Sequence, residues 1–129
     1  MAVTVIESSA DLDGLHCWPG AHEARSYLRV PHRHRFVVSA RVFVTHADRD
    51  VEWHDLRAML RTSLSVCAKG STSGGLYDFG SQSCEELAVR VVYQLRLLHN
   101  INVQRVSVSE DGEFTAHYYP TVPNPRTQS

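Results

Sequence analysis

The chain has 129 residues, 43% of them apolar, which suffices for one packed core and is short for two. Its formal charge of −1 leaves no basic surplus to recommend DNA, RNA or an anionic membrane as a partner. No uncharged apolar run is long enough to span a bilayer, and the opening MAVTVIESSADLD is acidic where a leader would be basic, so a soluble, cytoplasmic protein is expected.

In chain order, AVTVIESS alternates only briefly, and DLDGLHCWPGAHEARSYLRV reads equally as strand, bulge or loop. A strand is clear from His34 to Thr45, where Phe36, Val38, Ala40, Val42 and Val44 share one face at period two. After the turn-like THADRD, the recurrence of Trp53, Leu56, Leu60 and Leu64 predicts a helix from Trp53 to Val66. The Gly- and Ser-rich AKGSTSGGLYDFGSQ is expected to form a long surface loop. It ends at Ser83, which with Glu86 makes a capping box, and Cys84, Leu87, Ala88, Val91, Val92, Leu95 and Leu98 then form an apolar stripe running to about His99. VQRVSVSE and EFTAHYY alternate around Asp111-Gly112, a hairpin signal.

The order ββααββ predicts an α+β fold, a four-stranded antiparallel sheet with two helices on one face. One domain over 1–120 is expected, with a flexible tail at 121–129. Such a unit leaves a sheet face and two edges open, which favours a homo-oligomer.

Eight histidines are the unusual compositional feature, and His32-Arg33-His34 is their tightest grouping. Residues two apart on a strand point to the same side, so the two imidazoles can chelate one ion. A zinc ion with three protein ligands keeps a fourth position for water or substrate. His16 and His22 are the candidates for the third ligand. The competing reading is a basic patch opening an exposed strand. Cys17, Cys67 and Cys84 are odd in number and widely spaced, fitting neither a disulfide framework nor a CxxC ribbon, so reduced thiols are expected.

At these residues the chain resembles the 6-pyruvoyl/6-carboxytetrahydropterin synthases. His16, a loop, and then His32-Arg33-His34 leading into a strand look like the family's single histidine followed by its HGH motif. VEWHDLR at 51–57 is similar to the segment opening the family's first helix, SCEELA at 83–88 to the opening of its second, and VSVSE at 106–110 to the strand ending in the glutamate that anchors the pterin ring. The resemblance spans His16 to Tyr119. It implies the tunnelling fold, a homohexameric ring with sites between subunits, zinc on His16, His32 and His34, and dihydroneopterin triphosphate as the reference substrate, so a trimer or hexamer acting on a reduced pterin triphosphate or related purine-derived compound is expected.

Glu110 also makes independent sense as an anchor, because a carboxylate at a strand end accepts two hydrogen bonds from a guanine-like edge. The plainer alternative is an acidic residue solvating a hairpin. Glu85 is a second substrate-binding candidate, or an ordinary acid of a helix first turn.

Two family elements are missing. Ser26 to Val30 holds no cysteine where the synthases carry the catalytic one, and the stretch from Cys67 to Gln82 holds Asp78 but no histidine for an Asp-His pair. Cys17 and the dipeptide His54-Asp55 are the candidate catalytic substitutes, with packing or surface roles as their plainer reading. Two functions therefore stand: a zinc-dependent lyase or hydrolase acting on a pterin-like compound, or a degenerate relative that binds such a compound or only assembles into rings. A phosphohydrolase site built from His46, Asp48, His54 and Asp55 would need a helical bundle, which the strand-rich pattern disfavours.

Overall fold

In the computed structural model, which describes residues 2–72 and 74–121, two 13-residue strands form the backbone of the domain. β1 (Thr4–His16) and β2 (His32–Val44) pair antiparallel without a break, from Thr4↔Val44 to His16↔His32. The segment read as strand, bulge or loop is thus one continuous strand as far as His16. A short 3-10 helix, Glu23–Arg29, lies within the connection to β2.

Alternation in β2 does what the pattern requires, since Phe36, Val38, Ala40 and Val42 are all fully buried. They face α1 (Trp53–Ser65) and α2 (Cys84–His99), which share one side of the sheet. Leu56, Leu60 and Leu64 bury the inner stripe of α1, while Trp53 stays about half exposed and stacks on the His54 ring. The predicted capping box of α2 is present: Ser83 Oγ accepts from the Glu86 N–H, and Glu86 reaches back to the Ser83 N–H. Asn100 ends the helix in the left-handed conformation, which Asn tolerates.

Among the described residues the sheet has six strands in the order β3-β4-β1-β2-β5-β6, which corrects the expectation of four. The two extra strands, β3 (Gly70–Ser71) and β4 (Tyr77–Asp78), arise inside the stretch expected to be a surface loop. That stretch has a buried anchor, Phe79, whose ring packs 4.7 Å from that of Phe36. Phe79 draws β4 alongside β1, where Gly14 and Leu15 pair parallel with Tyr77 and Asp78. β5 (Val103–Glu110) and β6 (Phe114–Tyr118) complete the sheet as a hairpin. Asp111 and Gly112 both take positive φ at its turn, and the Glu113 N–H closes onto the Glu110 carbonyl.

No helix among the described residues is long and apolar enough to cross a membrane. The expected flexible tail lies outside the described residues apart from Thr121, whose carbonyl accepts a hydrogen bond from Arg96.

Gly14 is where the fold tolerates no side chain. A Cβ there would sit 2.6 and 2.8 Å from two Phe79 ring carbons and 3.0 Å from the Tyr77 carbonyl. Gly14→Ala should therefore cost about 1–3 kcal/mol, the usual effect of overfilling a packed site. Urea melts of the two proteins check this, and an unchanged midpoint would contradict the packing of Phe79 over β1.

Candidate metal centre

His32 and His34 lie on the same face of β2 as Phe36, beyond the last apolar residue of the core. The pairing of His16 with His32 and of Gly14 with His34 brings the third imidazole across from β1. A ligand nitrogen from each of His16, His32 and His34 lies within 4.8 Å of the other two, and all three residues are half-buried. His22, the alternative third ligand, is exposed beside the 3-10 helix and takes no part in the cluster.

The orientation of two rings is fixed by partners that can only accept. His32 Nδ1 lies 2.9 Å from the Val30 carbonyl, and His34 Nδ1 lies 2.6 Å from Asp111 Oδ2. A carbonyl and a carboxylate require N–H at Nδ1, which leaves the Nε2 lone pair of each ring for a metal. Asp111 also accepts from the Arg35 N–H through Oδ1, and these two bonds, the main-chain one first, hold its carboxyl below the usual carboxylate range.

His16 is drawn below its ordinary value, chiefly by burial, while the Glu110 carboxylate pulls the other way. Burial thus favours the neutral imidazole that a metal needs. Its Nδ1 and the Nε2 of His34 are buried without a hydrogen-bond partner. Orphaned buried nitrogens call for an explanation, and a metal ion between them is a fitting one. Three imidazoles with second-layer acceptors match the donor set of a zinc site.

A cavity of about 400 Å³ adjoins the cluster, lined among others by His16, Trp18, Ser83, Cys84, Glu85 and Glu110. Both substrate-binding candidates, Glu110 and Glu85, are thus at one site. The thiol at this site is Cys84, whose Sγ lies 3.6 Å from Glu110 Oε1, and Cys17 is not among the lining residues. Burial, with the nearby Glu110 carboxylate, pushes the Cys84 thiol well up, so it is held protonated.

His54 and Asp55 are elsewhere in the same chain. The carbonyl of Trp53 accepts from Ser8 Oγ, and Ser8 lies eight residues along β1 from His16, about 26 Å at strand rise. His54 and Asp55 serve the start of α1, where Glu52 caps both of their N–H groups. Among the described residues, His46, Asp48, His54 and Asp55 do not gather into a metal-holding group.

No family model matches the chain, and no curated protein matches it. Among solved structures, the fold is similar to that of an uncharacterized protein, WS1659, from Wolinella succinogenes. The match has a TM-score of 0.59 at 13% identity and covers 92% of this chain and 99% of that one. At that identity the likeness bears on the fold alone.

Zinc titration against a chromophoric chelator tests the centre. Wild-type protein should take up about one zinc per chain, and the double variant His32→Ala/His34→Ala essentially none. Asp111→Asn keeps a residue suited to positive φ but removes the charge behind His34, so zinc affinity should fall about 10- to 100-fold. Equal zinc content in wild type and the double variant would sink the assignment.

Proposed function

We propose that this chain is a zinc-dependent protein of the 6-pyruvoyl/6-carboxytetrahydropterin synthase type, cytoplasmic, whose cavity takes a reduced pterin triphosphate or related purine-derived compound. The observation supporting this is the convergence of His16, His32 and His34 beside a cavity that also holds Glu110. Zinc bound there would polarise a ligand's side-chain oxygens and acidify the adjoining carbon-bound proton. Glu110 offers carboxylate oxygens to the 2-amino and ring N–H edge of a guanine-like ring. Trp18 and Phe114, each about half exposed at the cavity, offer flat apolar surface to such a ring.

A second reading, a degenerate relative that binds its ligand without turnover, is favoured by the state of the local thiol. Eliminating triphosphate needs a group that removes and redelivers protons within hydrogen-bond reach of the substrate. Cys84 is buried and held protonated, and Cys17 does not line the cavity. His54 and Asp55 are far along the sheet in the same chain. Loss of one acid/base group typically costs about 100-fold or more in rate. The chain is therefore a binder first and at most a slow catalyst.

Assembly into a trimer or hexamer belongs to the same proposal. Among the described residues, the outer edge of β6 and the edge of the Thr4–Asp13 stretch of β1 facing away from β2 have no strand neighbour. Open edges of this kind are satisfied when another chain pairs with them.

Light scattering at micromolar concentration should give a mass that is a multiple of three chains. A monomer would remove the ring from the proposal.

Calorimetry with 7,8-dihydroneopterin triphosphate should show stoichiometric binding to the zinc-loaded protein, weakened in Glu110→Gln. Phosphate release should be absent or about 100-fold below that of a cysteine-containing synthase. No binding would reject the ligand class. Full turnover would reject the degenerate reading, and its loss in Cys17→Ala would identify the working thiol.

A further inference from the structure

Glu110 stands closer to the imidazoles than a ligand anchor needs to be. Its Oε1 lies 3.3 Å from His16 Nδ1 and its Oε2 3.6 Å from His34 Nε2, yet neither contact has hydrogen-bond geometry. At His34, when the ring is neutral, Asp111 holds the proton on Nδ1, so the Nε2 lone pair faces a carboxylate oxygen. Two acceptors face each other across a gap that a cation would fill.

The size of the gap says what kind of cation. With metal–ligand bonds of about 2.0–2.1 Å, the ligand atoms of a tetrahedral zinc site stand roughly 3.3 Å apart. Glu110 meets that edge length at His16 through Oε1 and stands just beyond it at His34 through its other oxygen, Oε2, next to the mutually close group of His16, His32 and His34. The carboxylate also has the support a ligand needs. Its Cα is fixed by the pairing of Glu110 with Phe36 at the end of β5, its side chain is only 20% exposed, and Cys84 Sγ lies 3.6 Å from Oε1 as a weak donor.

Resting on the three-imidazole reading, we infer that Glu110 is the fourth metal ligand of the resting protein, closing a site of three histidines and one glutamate at the end of β1, β2 and β5. Glu110 and Asp111 then act on one ring from its two nitrogens, Glu110 sharing the ion bound at Nε2 and Asp111 holding the proton at Nδ1. A site with four protein ligands has no open position until the carboxylate leaves.

The test uses the full chain, zinc, cobalt and azide. Zinc affinity is measured for wild type and Glu110→Gln, an isosteric change whose folding is checked by circular dichroism. Azide is then added to the cobalt-substituted proteins while the visible spectrum is followed. Glu110→Gln should bind zinc at least tenfold more weakly, and azide should shift its cobalt spectrum while leaving that of the wild type unchanged. Equal zinc affinities, or a shift of the wild-type cobalt spectrum on adding azide, would overturn the assignment of Glu110 and leave the three imidazoles standing. Failure of the wild type to take up zinc would overturn the imidazole reading and this inference with it. The wild-type azide response needs no substitution, so it decides the matter even if the variant folds poorly.

Discussion

The antiparallel register of β1 against β2 places His16 opposite His32 and Gly14 opposite His34, and every feature of the candidate metal centre depends on it. A slip of one residue would turn one strand's residues to the other face of the sheet and separate His16 from the pair. The register is held by burial, since Ala10 on β1 and Phe36, Val38, Ala40 and Val42 on β2 pack on the face that the helices cover. On the opposite face, Arg41 reaches Glu7, its direct cross-strand partner, and Arg35 reaches Asp11 diagonally. These exposed pairs add little energy, but they favour the same alignment. The long apolar alternation of β2 is therefore a positioning device for the histidines at its beginning.

The same sheet end joins the core to the site. Phe36 lies under the imidazoles, with its ring centroid 6.3 Å from that of His16 and 6.1 Å from that of His34. Phe79 packs against Phe36 and over Gly14, so the apolar floor consists of residues from three separate stretches of chain. A floor of this kind keeps water from the underside of the rings, and burial is the largest influence drawing His16 below its ordinary value. Closeness to the core thus prepares the neutral imidazole. It also explains why a glycine two residues before a ligand matters for a site it does not touch.

Much of this was legible in the residues. Period two in β2, the apolar stripe of α2 from Cys84 to Leu95, its Ser83–Glu86 box, and the Asp111-Gly112 turn are local signals that appear in the structure where expected, while Leu98, read as part of that stripe, is exposed past the end of the packed face. His32 and His34 could be put on one side because strand geometry alone decides it. What escaped depends on register between distant segments. Phe79 sits in a run of Gly and Ser with no period, so neither its burial nor the two short strands around it had a local signature. Asp111 reads as a turn residue, and its bond to His34 exists only because β5 pairs with β2 so that Glu110 meets Phe36. Cys84 belongs to an apolar stripe by spacing, yet the first residue of a helix also faces the end of the sheet that the helix crosses. Cys17 stands out as a substitute acid or base by its place beside His16 and His54-Asp55 by residue type, and neither signal carries information about distance across a sheet.

At Glu110 the cavity and the metal centre meet, and two demands fall on one carboxylate. As an anchor it must offer both oxygens to a ring in the cavity, and as a fourth ligand it must offer one to the metal. Both uses cannot be fully satisfied at once, since a carboxylate oxygen committed to a divalent cation is a weaker acceptor for a neutral N–H donor. On the proposed reading, a ligand entering beside Trp18 and Phe114 would compete with the metal for Glu110, and the coordination position it freed would lie next to the ligand that freed it. Binding and opening of the metal centre then become one event, with a coupling set by how strongly the carboxylate prefers either partner. Such a site protects its metal while empty and exposes it only when occupied. On the proposed reading, a protein without a well-placed thiol base would in this way still hold a pterin-like compound beside a metal with little turnover.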